Sequence, residues 1–277
     1  MSGKLASIAV LTSLLVSISV VVFRPQIAEA GSTIYIRADG SVDPSYAQIS
    51  SIDNVTYTFM GNIDDSIMVE RSHVIIDGAG YTLDGFGGWG IGIIIQYVVH
   101  NVTTQNVKIT GFGTGISIIN SWANIVSGNY ITNNANGIFA HAVSNTTFTE
   151  NNIICNVCGI WLENCSDNRF YHNYFVNNTS QVHVELGHVN VWNEEYPSGG
   201  NFWSNFKEQY PDVEDIHSGP DQDLLGSDGF WDVPYEIDEN NIDKYPIVPE
   251  LPSYTIVPLF MATTGLVSIF YRKKQNI

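Results

Sequence analysis

The sequence predicts an all-β protein wound as a coil of short, stacked strands. Three observations lead there. First, Gly115-Ile116, Gly137-Ile138 and Gly159-Ile160 recur at a constant step of 22 residues, and Gln181-Val182 takes the next place. Further apolar columns keep that step: Ile109, Ile131, Ile153 and Phe175; Ile118, Ala140, Leu162 and Val184; Val126, Phe148 and Phe170. Second, each repeat holds short alternating runs, the strand signal, and no repeat carries a capped helical stripe. Third, the chain is rich in asparagine and glycine, 26 and 24 of 277 residues, which disfavour helices and suit turns. One repeat is then one turn, and successive turns stack at the inter-strand spacing of about 4.8 Å. No turn could bury its apolar face alone, so the turns stabilise one another.

The elements follow in chain order. Residues 1–30 read as an export signal: Lys4, the apolar run Ala6 to Phe23, and the small-x-small pattern Ala28-Glu29-Ala30. An uncleaved anchor is the competing reading of that run. Residues 31–71 are expected to cap the coil, because an open end is an exposed sheet edge. Residues 72–190 are the repeats, interrupted by a glycine-rich loop from Gly85 to Gly90. Residues 191–250 leave the repeat and are expected to close the other end, with Trp192, Phe202, Trp203, Phe206, Tyr210, Phe230, Trp231 and Tyr235 as the seal. Residues 254–271 are uncharged and apolar, and as a helix would span about 27 Å, close to a bilayer's hydrocarbon core. Arg272, Lys273 and Lys274 in the tail 272–277 would stay on the cytoplasmic side, which puts the β domain outside the cell on a single-pass anchor. A buried core helix is the competing reading there.

Charge narrows the partners. With 28 acidic and 11 basic side chains the formal net charge is −17, which excludes a nucleic-acid binder that works by displacing counterions. Six sequons, at Asn54, Asn101, Asn145, Asn164, Asn177 and Asn178, are candidate glycosylation sites on an exported domain. Asparagines also fall in columns: Asn129, Asn151 and Asn173; Asn134, Asn156 and Asn178. Amides one turn apart can hydrogen-bond up the stack. The three cysteines, Cys155, Cys158 and Cys165, read as small packing residues, with a Cys155–Cys158 disulfide or a metal site as the alternatives.

Beyond the repeat, Thr33 to Val42, Val74 to Leu83, Gly200 to Ser204 and Asp228 to Asp238 resemble, in order, the opening, first regular coil and closing segments of the NosD-like family. These are right-handed parallel β-helix proteins with carbohydrate-binding and sugar-hydrolase-type repeats, frequent among archaeal surface proteins. The resemblance covers most of residues 33–250. It departs from the family at Trp231, where glycine is usual, and at Asn205, where aspartate is common. It implies a right-handed parallel β-helix with coils of about 22 residues, and it raises copper-site maturation as a role.

Four constellations could carry chemistry. The outward column Ser117, Phe139, Trp161 and His183, with His141, Glu163 and Glu185 beside it, would form one surface patch suited to stacking on sugar rings. Its competing role is a packing surface for the C-terminal tail. Glu163 and Glu185, on successive turns, are the weak candidates for a glycosidase pair. A lyase would need a cation, and between Ser72 and Asn190 only Lys108 and Arg169 are basic apart from histidines, in different columns. Asp221, Asp223, Asp228 and Asp232 form an oxygen-rich stretch that could bind calcium, or simply a solvated acidic cap. His183, Glu185 and His188 could hold a transition metal. The expected function is a membrane-anchored, non-catalytic binding or structural module contacting polysaccharide or envelope proteins. A carbohydrate-active enzyme and a metal-delivery accessory are the alternatives.

Overall fold

The computed structural model describes residues 32–186 and 188–249. The expected signal (1–30), the apolar segment 254–271 and the tail 272–277 lie outside the described residues. Among the described residues no helix is long and apolar enough to cross a membrane.

The chain winds into an all-β solenoid of the right-handed type, with about six coils and three sheets. The long sheet has eight strands, among them Thr33–Ile36, Ser66–Val69, Ile91–Gln96, Thr114–Trp122, Asn136–Ser144, Cys158–Glu163 and Ser180–Glu185. The second sheet has seven strands and ends at Arg169–Tyr171, and the third has six and ends at Phe202–Trp203. Pairing within the stack is parallel, and antiparallel additions (Val42–Asp43 and Ile49–Ser50) occur at the N-terminal end. Winding thus already includes Thr33–Ile36, Thr56–Phe59 and Ser66–Val69, inside the stretch read as a cap.

The expected piles exist. Ile116, Ile138, Ile160 and Val182 pair in register in the long sheet, and the same column continues upward through Ile93, Ile67 and Ile34. In the second sheet Val126, Phe148 and Phe170 pile up, with the Phe148 and Phe170 rings stacked at 4.6 Å. The third sheet piles Leu83, Ile109, Ile131, Ile153, Phe175 and Trp203. Glycine is needed beside the isoleucine column because the next coil lies directly above. A Cβ on Gly137 would come within 2.5 Å of the Gly159 carbonyl oxygen. Gln181 can occupy the corresponding place in the last coil because, among the described residues, no strand is stacked above it.

Each corner uses two residues. The first sits in the left-handed region, as at Asn145, Glu150 and Cys155, and the second turns a polar side chain inward. Those inward residues are the buried ladders. Asn129 donates through Nδ2 to Asn151 Oδ1 (3.0 Å), Asn151 to Asn173 (2.9 Å), and Asn173 to Asn201 (2.9 Å). A second ladder runs Asn134, Asn156, Asn178 and then Gln181. A third runs from Asn168 through Asn190 to Asn241. Inside a ladder the amide oxygen accepts from both the side chain and the backbone N–H of the asparagine one coil earlier, as Asn151 Oδ1 does from Asn129, while the first members Asn129, Asn134 and Asn168 accept a backbone N–H. This satisfies polar backbone at every corner without water.

The C-terminal segment closes two of the three sheets with rings. Trp192 stacks on Phe170 at 4.1 Å, Trp203 on Phe175 at 4.4 Å, and Tyr235 on Trp203 at 4.1 Å. Phe206, in the short helix Phe206–Gln209, stacks on Trp231 at 4.8 Å. The aromatic seal expected from the sequence is present with Trp231 as a buried part of it, except that Phe202 alternates with Trp203 to the outer face, where it lies half-buried beside Tyr174.

Candidate functional site

The outward face of the long sheet carries one column of side chains in register: Tyr35, Met68, Ile94, Ser117, Phe139, Trp161 and His183. The backbone alternation that buries Ile116 and Ile118 points this column the other way. Phe139 and Trp161 meet edge to face at 6.3 Å, and Trp161 and His183 at 4.7 Å. Phe139 and Trp161 are half-buried and His183 is exposed. Ser117 departs from expectation: it is 2 % exposed, a small side chain flanked in register by the larger Ile94 and Phe139. The upstream members Tyr35, Met68 and Ile94 were not legible in the sequence, because they do not fall on the regular step.

The neighbouring column is polar apart from Ile119: Gln96, Ile119, His141, Glu163 and Glu185. His141 Nδ1 lies 3.2 Å from Glu163 Oε2. Glu163 and Glu185 are register partners on adjacent strands, as expected. The Nε1 of Trp161 is sealed from solvent and has no hydrogen-bond partner. The indole can therefore offer a ligand its carbon surface but not its N–H. A further aromatic group, absent from the sequence reading, lies at the corner beside the long sheet. There Trp122 stacks on His100 at 4.5 Å, and His73 meets His100 edge to face at 5.1 Å.

The metal candidates do not assemble. Among the described residues no group of three or more His, Cys, Asp and Glu side chains could hold a metal ion. His188 Nε2 is paired with Asn164 Oδ1 at 3.0 Å, so His183, Glu185 and His188 do not form a centre. The aspartates of the cap are used as loop acceptors. Asp232 receives the Ile216 and His217 backbone N–H groups and pairs with His217 Nδ1 at 2.6 Å. Asp228 receives Gly219 N, Gln222 Nε2 and Phe230 N. Asp221 and Asp223 are exposed. The oxygen-rich stretch is thus an acidic cap tied by its own backbone, and the calcium reading is not supported. The cysteines are free: Cys155 is exposed, while Cys158 and Cys165 are buried packing residues. Burial pushes the Cys158 thiol up to about 11, which keeps it protonated and a poor ligand.

The sequons separate into two kinds. Asn54, Asn101, Asn145, Asn164 and Asn177 are exposed left-handed corner residues. Asn178 is not an acceptor on the surface: it is 8 % exposed, and its Nδ2 is engaged by Ile153 O and Gln181 Oε1.

One acid escaped the sequence reading. Asp243 is fully buried, and its carboxylate receives Trp203 Nε1 (2.9 Å), the backbone N–H of Asn201 (2.7 Å) and that of Tyr245 (3.2 Å). Burial outweighs these bonds and raises its pKa to about 7.

A family model described as periplasmic copper-binding protein (NosD) matches residues 29–208, more than half of the chain. No curated protein and no solved structure matches it. The chain belongs to the NosD family.

Proposed function

We propose that this NosD-family chain is an exported, non-catalytic module that holds an extended polysaccharide along the outward face of its long sheet. The observation that carries the reading is the in-register column Phe139, Trp161 and His183, with its apolar continuation through Ile94, Met68 and Tyr35. Half-buried rings at the inter-strand spacing offer carbon surface to successive sugars, and His141, Glu163 and Glu185 alongside offer hydroxyl partners. Glu163 is already paired with His141, which suits a positioned hydrogen-bond acceptor better than a glycosidase acid. In this reading the segment 254–271 tethers the domain outside the membrane, and exposed corners such as Asn54, Asn101, Asn145, Asn164 and Asn177 are the places where glycans would attach.

The family's description favours a second reading, an accessory in copper delivery. The described residues do not fit a copper centre of their own, since no three-ligand group converges and two of the three thiols are buried. No step through copper is therefore assigned to this chain.

The test is a polysaccharide array probed with the purified full chain and with Trp161→Ala. A specific glycan signal is expected, at least tenfold weaker in the variant. Trp122→Ala, which removes a ring from the corner rather than the column, should retain it. Absence of any glycan signal from the wild-type chain, or an equal signal from Trp161→Ala, would overturn the reading.

A further inference from the structure

Among the described residues, the last strand of the long sheet, Ser180–Glu185, pairs with Cys158–Glu163 on one side and with no strand on the other. Ser180 N donates back to Val157 O (2.9 Å). Glu185 O accepts from Asn164 N (3.1 Å) and the Gln181 carbonyl faces Gly159, so by the alternation of a parallel ladder Val182 and Val184 turn their backbone N–H and C=O toward the open side. Core burial also fails here. Ile160 and Leu162 are 0 % and 1 % exposed, but Val182 and Val184, one coil later in the same columns, are only partly buried. The aromatic lid that closes the other two sheets stops short of this one. Between the strand and the lid lies a cleft of about 320 Å³, lined by Ser180, Gln181, Val182, Asn205, Tyr235 and Ile237 among others. The two charged side chains on its wall, Glu208 and Glu236, are both acids, and both are exposed. Lys207, the nearest basic residue in sequence, is drawn away to the Pro211 and Val213 carbonyls and to Glu214.

We infer that this edge is a docking site for an extended cationic peptide segment of a partner protein, which adds to the long sheet as one more strand. Free main-chain groups supply pairing, Val182 and Val184 supply an apolar floor for every second side chain, and Glu208, Glu236 and Glu185 at the rim select Lys or Arg on the others. A second copy of this chain is a poor occupant, because at a net charge of −17 it would bring acid to acid. The site adjoins the ring column and shares Glu185 with its margin, but the edge does not depend on the Phe139 and Trp161 rings, nor the rings on Glu208 and Glu236, so either proposal can fail without the other.

The probe is a fluorescent hexapeptide of alternating lysine and valine, titrated into the full chain with anisotropy as the readout. Saturable binding is expected. The same peptide with alternate backbone nitrogens methylated keeps its charge but cannot pair as a strand, and should bind at least tenfold more weakly. A glutamate–valine peptide should not bind. The double variant Glu208→Lys/Glu236→Lys should lose at least tenfold in affinity while keeping its melting temperature, and Trp161→Ala should bind the peptide like the wild type. No saturable binding, equal binding of the methylated peptide, or equal binding by the charge-reversed variant would each overturn the proposal.

Discussion

Asn151→Ala is the sharpest test of the ladders as supports of the coil. The Asn151 side chain makes four hydrogen bonds, all inside the stack. Its Nδ2 donates to Val126 O (2.8 Å) and Asn173 Oδ1 (2.9 Å), and its Oδ1 accepts from Asn129 Nδ2 (3.0 Å) and Asn129 N (3.1 Å). Truncation leaves the Asn129 backbone N–H buried without an acceptor, which costs about 1–3 kcal/mol. The other three bonds contribute about 1 kcal/mol each net, and their groups keep other partners in part. The expected loss is about 4 kcal/mol, a large part of the roughly 5–15 kcal/mol that holds a typical domain together. Asn133→Ala is the matched control. It too removes an asparagine from a corner, but an exposed one at φ 55° that contributes only its tolerance of the left-handed region. Its cost should be about 1 kcal/mol. Urea denaturation of the purified chain, followed by circular dichroism, should separate the two variants by about 3 kcal/mol. Losses within 1 kcal/mol of each other would mean that the asparagines act through corner conformation and not through the ladder.

Two further predictions concern the stack and its end. Gly137→Ala would force a Cβ against the Gly159 carbonyl oxygen, 2.5 Å away, and should cost about 1–3 kcal/mol by overpacking; Gly90→Ala, whose Cβ would meet nothing closer than 3.9 Å, should melt within a few degrees of wild type, and the reverse order would refute the stacking account. Asp243 has its pKa raised from 3.8 to about 7, so between those values the folded chain holds a proton that the unfolded chain releases. Stability should therefore be higher near pH 4 and fall as pH rises toward 7, by about 1.4 kcal/mol per unit and about 4 kcal/mol in all, then level off. Asp243→Asn should remove this component from a pH series of denaturation curves; parallel curves for the two proteins would refute the assignment.

The regular coils were legible because their corners have constant length: one left-handed residue, then one inward polar residue. Wherever that holds, from Ile109 to Val184, the columns could be aligned by counting. Upstream, the exposed loop carrying Phe86 and Trp89, and other insertions, change the step. Counting therefore missed Ile34, Ile67 and Ile93 in the core, and Tyr35, Met68 and Ile94 on the outer face. The sequon pattern alone does not separate Asn177 from Asn178, but the 22-residue column Asn134, Asn156 and Asn178 does. The corner geometry agrees with the column: the first is an exposed left-handed residue and the second a ladder member. Ser117 was placed on the correct face but judged exposed, because alternation gives direction and not the height of the neighbours. Of the two readings open for the aspartates, calcium and a solvated acidic cap, the calcium one is not supported, for a related reason. Carboxylates at short spacing suit calcium, but Asp215, Asp228 and Asp232 are spaced to receive the N–H groups of their own loop.

The ladders also have a direction, and this bears on why the closing segment is acidic. In every ladder the side-chain N–H of one coil donates to the oxygen of the next, so each row ends at the C-terminal side with a donor that needs an acceptor. Aligned amide dipoles place partial positive charge there, as at the N-terminus of a helix. The first ladder ends on the Asp243 carboxylate through Asn201, and the third on the Asp238 carboxylate through Asn241. The second ends differently. Asn178 donates to Gln181, which passes the bond to Ser204 Oγ and Asn205 Oδ1, both neutral. That ladder runs along the corner between the third sheet and the long sheet, beside the one edge that the lid leaves open. Two corners are thus closed by a buried acceptor that also anchors the lid, since Asp243 binds Trp203 and Asn241 binds Trp192. The corner without a carboxylate lacks such an anchor, and the strand next to it keeps its main chain unpaired and its valines half-covered. An acid introduced at Asn205, within reach of Gln181 and of the Tyr235 hydroxyl, should draw the lid toward Ser180–Glu185 and compete with strand addition there.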